Sequence, residues 1–237
     1  GKLLDSKQLS LSDDISKYVT YFPKKMYSIN VGELASHTSG IRDYDHSKNE
    51  YLNFQNYNSI QESIAIFQND PLLFEPGTNY KYSSYNYTLL SAVIEGASSV
   101  NFLDYMQKNV VEPLQLFNTT PDYFYNIIDN RVRFYEKYQR IVINSPGIDN
   151  SNKWAGGGYL STSLDLVKMC QSLLKNDFIT ADAKKVLWTP VTLKTGEKTN
   201  YGIGWRIEID KNNRTFVHHG GSAVGGRSFL LMYPDEG

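Results

Sequence analysis

The sequence predicts an α+β fold, an antiparallel sheet packed by helices drawn from both ends of the chain, and three observations predict it. Apolar residues recur at the helical period through the middle of the chain, first as Tyr87, Leu90, Val93 and Ile94 and again as Leu166, Cys170 and Leu173. Past residue 200 the period falls to two: Tyr201, Ile203, Trp205 and Ile207 alternate with Gly202, Gly204, Arg206 and Glu208, the pattern of a half-buried strand. Two further strand-like runs, Thr215 to His219 and Ser228 to Tyr233, follow the turn residues Asp210-Lys211-Asn212-Asn213, which makes the sheet a meander.

The elements follow in chain order. Leu9 to Phe22 forms a first element that stops at Pro23-Lys24-Lys25. Asn30 with Glu33 three residues later predicts a capped short helix closing in a tight turn at Gly40. Ser59 and Glu62 predict a second capping box ahead of Ile60, Ile64 and Phe67, which share one helical face, and Pro71 ends the pattern before a turn at Pro76-Gly77. A helix is expected from about Ser84 to Glu95, and another from its cap at Asn101 to just before Pro113. Between 117 and 160 the pattern is irregular, with strands at Arg131 to Tyr135 and Gln139 to Ile143 and a flexible Gly156-Gly157-Gly158. Thr162 and Asp165 then cap a helix with Leu166, Cys170 and Leu173 on its apolar face.

No linker or repeat divides the chain, so residues 1–237 read as a single domain, with a helical and loop subdomain at about 30–160 and a helix plus antiparallel sheet at 161–237. That domain reads as incomplete at both ends. Gly1-Lys2-Leu3 reads as the end of a helix, and Pro234-Asp235-Glu236-Gly237 as a hairpin turn awaiting its return strand, so further chain is expected to pack against this one.

Composition narrows the chemistry. With 24 Lys+Arg against 25 Asp+Glu the net charge is −1, no footprint for a phosphate backbone, so a nucleic-acid partner is not expected. No apolar run approaches the roughly 20 residues of a membrane-spanning helix. The single Cys170 cannot form an internal disulfide, and on an apolar helix face it reads as an inert core thiol. Of the four histidines, His37, His46, His218 and His219, none pair at the i, i+4 spacing of a helical zinc site, and His218 and His219 on one strand would point to opposite faces. The Gly156 run lacks the spacing of a phosphate or dinucleotide loop, so neither a metal nor an organic cofactor is expected.

Four segments in order carry more. These are Leu34-Ala35-Ser36-His37-Thr38-Ser39-Gly40-Ile41; Phe74-Glu75-Pro76-Gly77 leading to Tyr82-Ser83-Ser84; Gly156-Gly157-Gly158-Tyr159-Leu160-Ser161-Thr162; and His219-Gly220-Gly221 with Gly225-Gly226 behind it. Together they closely resemble the serine β-lactamase-like family, which includes penicillin-binding-type peptidases, class C β-lactamases and esterases, and the resemblance runs through nearly the whole chain. Ser39-Gly40-Ile41-Arg42-Asp43-Tyr44 and the stretch from Asp149 to Gly158 are most similar to the mitochondrial branch of that family and its bacterial relatives.

The resemblance implies a β-lactamase/transpeptidase-like fold and acyl transfer through three elements: a Ser-x-x-Lys turn opening a helix, a Tyr-x-Asn loop and a Lys/His-x-Gly strand. Tyr82 falls on the tyrosine, where a phenol can relay the nucleophile's proton provided neighbouring cations lower its pKa. Ser84 falls on the asparagine, a departure from the pattern that leaves a shorter donor for a substrate carbonyl. A slip of two residues would instead bring Asn86 into that place, as Ser84-Tyr85-Asn86. His219 matches the cation of the third element and would tune Tyr82 or hold a substrate carboxylate; Gly221 leaves room along the strand, and the Ser222 N–H matches an oxyanion donor. His37, in a helix-end turn, is expected to make a structural hydrogen bond.

The family's Ser-x-x-Lys precedes the His37 turn by several dozen residues, so the nucleophile is expected before residue 1; Ser172-Leu173-Leu174-Lys175 matches literally but lies within a packing helix. The implied function is a serine hydrolase acting through an acyl-enzyme on a peptide, amide or ester. The alternative is a catalytically inactive binding or assembly module of the same fold, and a cysteine hydrolase built on Cys170 is a remote third. The family's usual habitat favours an extracytoplasmic bacterial location, with the mitochondrion as the alternative.

Overall fold

The computed structural model describes residues 1–236; Gly237, the last residue of the expected terminal turn, lies outside the described residues. The elements are helix α1 (Lys2–Asp5), α2 (Val31–Ala35), α3 (Ile60–Ile64), α4 (Ser84–Ser98) and α5 (Phe102–Met106), then strands β1 (Thr120–Pro121), β2 (Tyr135–Tyr138) and β3 (Ile141–Asn144). After these come α6 (Trp154–Gly157), β4 (Tyr159–Leu160), α7 (Ser163–Lys175), α8 (Ala181–Leu187) and the strands β5 (Arg206–Ile209), β6 (Thr215–Ser222) and β7 (Arg227–Met232). The fold is α+β, with the antiparallel sheet in the order β5-β6-β7 and two small antiparallel pairs, β1 with β4 and β2 with β3.

Local chemistry explains most of the boundaries. The capping box of α2 is complete: Glu33 N–H donates to Asn30 Oδ1 at 2.8 Å, and Asn30 N–H donates to the Glu33 carboxylate at 2.9 Å. The turn behind it needs Gly40, at φ +81°, because a Cβ there would sit 2.4 Å from the Phe74 carbonyl oxygen. At α3 only half the expected box forms. Ser59 Oγ accepts from Glu62 N–H, while the Glu62 carboxylate accepts from Asn58 N–H, and the helix ends before Phe67. Helix α5 widens into a π turn at Gln107–Val111 before Pro113.

Five expectations are corrected. Leu9 to Phe22 holds a single 3₁₀ turn, Ile15–Lys17, capped by Asp14, which still buries Ile15 and Val19. The two irregular-region strands lie further along, at β2 and β3, because the two-residue turn Gln139-Arg140, with Gln139 at φ +53°, sets the pairing of Tyr138 with Ile141. Gly156 and Gly157 are helical rather than a free linker, and Gly158 is held tightly, since a Cβ there would lie 2.8 Å from the Trp154 ring. The alternation at 201–207 yields ladder pairing only from Arg206, because Gly202 and Gly204 (φ +78°) fold the chain so that Gly202 N–H donates to Trp205 O. Helix α8, capped by Thr180, occupies a stretch the sequence reading leaves without an element.

The main core joins α2, α3 and α4 through Leu34, Ile64, Tyr85, Leu89 and Val93. A second cluster, Cys170, Val217 and Met232, seats α7 on the sheet, and a third, Leu173, Ile179 and Ala183, joins α7 to α8. Beside the main core Arg42 donates to Glu50 at 2.6 Å and to Asp70 at 2.6 Å, and Tyr85 donates to the same Glu50 carboxylate, which fastens the 42–50 loop to α4.

Two outcomes follow from this packing. Gly96 lies against the 3₁₀ segment so closely that a Cβ would meet the Tyr18 carbonyl oxygen at 2.2 Å, a backbone atom that cannot rotate away. Gly96→Ala is therefore expected to destabilise the full-length protein by about 1–3 kcal/mol, read as a lowered urea midpoint. The second outcome concerns acid. Burial alone would raise the Glu50 pKa, but hydrogen bonds from Arg42, Asp45 N–H and Tyr85 more than offset it, so the folded value lies below the ordinary 4.5. Its stabilisation is complete above that value and lost as pH falls through the lower folded one. Arg42→Met should move the acid-unfolding midpoint to higher pH, and an unmoved midpoint would refute this role for Glu50.

Candidate active site

The site forms where the turn after α2, the start of α4, the Tyr201 loop and β6 converge. Helix α4 has no cap from its own Ser83, whose hydroxyl donates instead to Arg42 O at 2.7 Å; the Ser84 N–H at the helix start donates to Asp43 Oδ1 at 2.8 Å. An acid from a distant loop thus caps the helix and fixes the approach of Tyr82, two residues upstream.

Tyr82 packs on His37 with ring centroids 4.1 Å apart and planes tilted by 35°, and stands 6.2 Å from the His219 ring. His219 projects from β6 on the side of Val217, and its Nε2 lies 3.0 Å from the Tyr201 hydroxyl. The same hydroxyl lies 3.1 Å from His37 Nε2. His37, fully buried, accepts from Ser83 N–H and from Asn86 Nδ2 at its Nδ1, both at 3.2 Å, so its turn does make structural hydrogen bonds. Tyr80 and Arg206 complete the wall, with the Arg206 guanidinium 5.5 Å from the Tyr201 ring centroid.

The register of β6 settles which backbone groups face outward. Ala223 and Gly226 exchange hydrogen bonds at the β6–β7 turn, so Gly221 with Ser228 and His219 with Leu230 are the bonded pairs of the ladder, and the groups of Gly220 and Ser222 point away from β7. Strand β5 pairs with β6 only as far as His218. The Ser222 N–H is therefore directed to the edge of β6 beyond β5. A Cβ at Gly221 would lie 2.3 Å from Ser228 Oγ, so this residue is small on account of its cross-strand neighbour as well.

The electrostatics are those of a dry, nearly neutral cluster. Burial, reinforced by Asp43 and Tyr80, pushes the Tyr82 phenol above its usual range, and Arg206, a neighbouring cation of the kind the sequence reading asks for, only partly opposes it. Burial, with His219 and Arg206 adding to it, drives His37 down to about 3. Burial also lowers His219, with Arg206 and His218 acting in the same direction and a backbone hydrogen bond with Gly220 opposing.

Asn86 borders this cluster, while Cys170 and Ser172 on α7 lie apart from it. Asn86 is fully buried inside α4, donating to His37 and accepting from Ser39 Oγ at 2.7 Å, which removes the two-residue slip that would aim it at a substrate. Ser84 is half-buried at the helix start, where its backbone N–H is held by Asp43. Cys170 is buried and its thiol pushed up to about 11 by burial, while Ser172 lies within α7. Among the described residues no group of three or more His, Cys, Asp or Glu side chains is arranged to hold a metal ion, and no helix is long and apolar enough to cross a membrane. Tyr201 is the participant that the sequence reading misses: the alternation makes it one residue of a half-buried strand, and its setting in Tyr201-Gly202-Ile203-Gly204, where two glycines allow a loop, is the available signal.

Comparison with known proteins fits this geometry. The mitochondrial serine beta-lactamase-like protein of Homo sapiens is 36% identical over an alignment that covers all of this chain and 60% of that protein. Penicillin-binding protein 4* of Bacillus subtilis is 26% identical across 99% of this chain and 55% of its own length, so the chain spans a little over half the length of these curated relatives. Among solved structures, a D-stereospecific amidohydrolase from Streptomyces superposes with a TM-score of 0.83 at 22% identity, covering 99% of this chain and 74% of that one. The octameric penicillin-binding protein homologue from Pyrococcus abyssi does so at 0.82 and 24%, covering 99% and 56%. The beta-lactamase family model matches residues 1–237, and the chain belongs to the beta-lactamase family.

Proposed function

We propose that the protein is a serine hydrolase that transfers an acyl group from a peptide, amide or ester to an enzyme serine and then to water. The observation that carries the reading is the approach of the Tyr82 ring to within 6.2 Å of the His219 ring, on the strand whose Ser222 N–H points away from β7. In this reading the serine and its lysine come from chain outside these 237 residues. The serine oxygen attacks the substrate carbonyl carbon, its proton passing through Tyr82 toward the leaving group, while the oxyanion is met by the Ser222 N–H. The leaving amine or alcohol departs with that proton, and water repeats the sequence on the acyl-enzyme. Ser84 donates to the substrate, Gly221 lets it lie along the strand, and His219 anchors its far end. The incoming lysine would also supply the positive charge that the raised Tyr82 pKa calls for.

Two observations favour a second reading, an inactive binding or assembly module. Tyr82 has its pKa raised rather than lowered by the neighbours described, and the family's asparagine is replaced by Ser84.

The intact mass of the full-length protein after exposure to a fluorophosphonate, and separately to a penicillin, separates the two. Acyl transfer predicts a covalent adduct with at least the fluorophosphonate, lost when the modified serine is changed to Ala. Tyr82→Phe should slow its formation by about 10²–10⁴-fold, the usual loss when a proton-transfer group is removed. A folded full-length protein that takes neither label would shift the conclusion to the binding module.

A further inference from the structure

The donors around His37 decide the tautomer of His219. His37 Nδ1 accepts two N–H donors, Ser83 N–H and Asn86 Nδ2, and the second is oriented by Ser39 Oγ, which accepts from Ile41 N–H and therefore donates to Asn86 Oδ1. A neutral imidazole that accepts at Nδ1 carries its hydrogen on Nε2. His37 Nε2–H must then donate to the Tyr201 oxygen, and Tyr201, buried to within 1% of full coverage, has one hydrogen left to give; His219 Nε2 takes it at 3.0 Å, an imidazole lone pair being a stronger acceptor than the neighbouring Tyr87 phenol oxygen. The chain of hydrogen bonds runs one way, from the α4 backbone through His37 and Tyr201 to His219, and ends on a lone pair. His219 is left with its hydrogen on Nδ1, the side of Gly220 and the open edge of β6.

The geometry assigns to Tyr201 and His37 the role of positioning residues that hold His219 as a neutral Nδ1–H ring, so that His219 meets the substrate with a hydrogen shared with the Gly220 backbone, and not as a proton acceptor or a cation. This deepens the proposed function and rests on it for the substrate. Protonating His219 would turn both Nε2 atoms into donors toward one phenol oxygen and drive the Tyr201 hydrogen from an imidazole onto the weaker Tyr87 phenol acceptor, a penalty that keeps the ring neutral. The groups facing it reinforce this from every side: Arg206 from β5, His218 on β6, the neutral His37, and the phenols of Tyr82 and Tyr201, with no carboxylate among them. A carbonyl or other neutral acceptor is thus favoured at His219 over a group that demands a full positive charge.

Two-bond ¹⁵N–¹H correlation spectra of the full-length protein, labelled at histidine nitrogen, read the tautomer without substrate and so independently of whether the protein acylates. The expected spectrum gives His219 a protonated Nδ1 and a bare Nε2, unchanged between pH 6 and 8, and His37 the opposite pattern. In Tyr201→Phe, which removes one oxygen, His219 should shift toward the Nε2–H form and its pKa rise toward the ordinary 6.5. His37→Gln, which keeps an N–H donor, should preserve the His219 tautomer where His37→Leu loses it. An Nε2-protonated His219 in the unaltered protein, a His219 that titrates between pH 6 and 8, or a tautomer indifferent to Tyr201→Phe would overturn the assignment, whatever the fluorophosphonate result. If the His37 variants do not fold, the unaltered protein and Tyr201→Phe decide the matter.

Discussion

A buried imidazole holds the site together. His37 sits at φ +61°, an unusual conformation for a side-chain-bearing residue, and is wholly enclosed. Its carbonyl accepts from Lys81 N–H, its Nδ1 from Ser83 N–H and Asn86, and its Nε2 donates to Tyr201. One ring therefore binds the turn after α2 to the strand-like approach of α4, to the interior of α4 and to the Tyr201 loop. Burial, with His219 and Arg206 adding to it, depresses the pKa of this ring, and the ring stays neutral with its Nδ1 free to accept. The orientation of Tyr82, packed on that ring, and of His219, one hydroxyl further on, both depend on it.

Much of the fold was legible because short-range chemistry dictates it. Asn30 with Glu33, Thr162 with Asp165 and Asn101 each announce a helix start, and each side chain accepts the backbone N–H that its position requires. The long apolar period of α4 and the meander of β5, β6 and β7 follow from patterning alone. Long-range packing was not legible. The alternation from Tyr201 to Ile207 satisfies a strand on paper, but Leu187 and Thr189 carbonyls crowd Gly202 and the chain bends there instead. A similar override moved β2 and β3: Arg131 is drawn to the buried Asp122 at 2.7 Å, which keeps the residues that precede β2 out of the ladder.

The site shows the same division. Tyr82, Ser84, His219, Gly221 and Ser222 were read by register from ordered segments, and the chain brings Tyr82 and His219 within 6.2 Å. What register could not disclose is which groups their neighbours leave available. Ser84 lies where the sequence put it, yet its N–H belongs to Asp43; Asn86 carries the more suitable side chain, yet both ends of its amide are engaged inside the helix. Tyr201 was invisible as a site residue because its role arises from two contacts, one of 164 residues' separation and one of 18, that no local pattern encodes.

The register of β6 is the last constraint, and it acts on every group along the cleft at once. Because side chains alternate, a slip of one residue against β7 would turn His218 toward Tyr201 and His219 toward Phe229, the side His218 now occupies. The same slip would turn the Ser222 N–H into the ladder and leave Gly221 facing out. The tight turn between Ala223 and Gly226 forbids it: Gly225 adopts φ +71°, and a Cβ there would collide with Ser145 Oγ and the backbone of Tyr135. The base of the β2–β3 hairpin thus presses on the turn that fixes the register, and a segment with no group in the cleft governs which imidazole and which N–H the cleft receives.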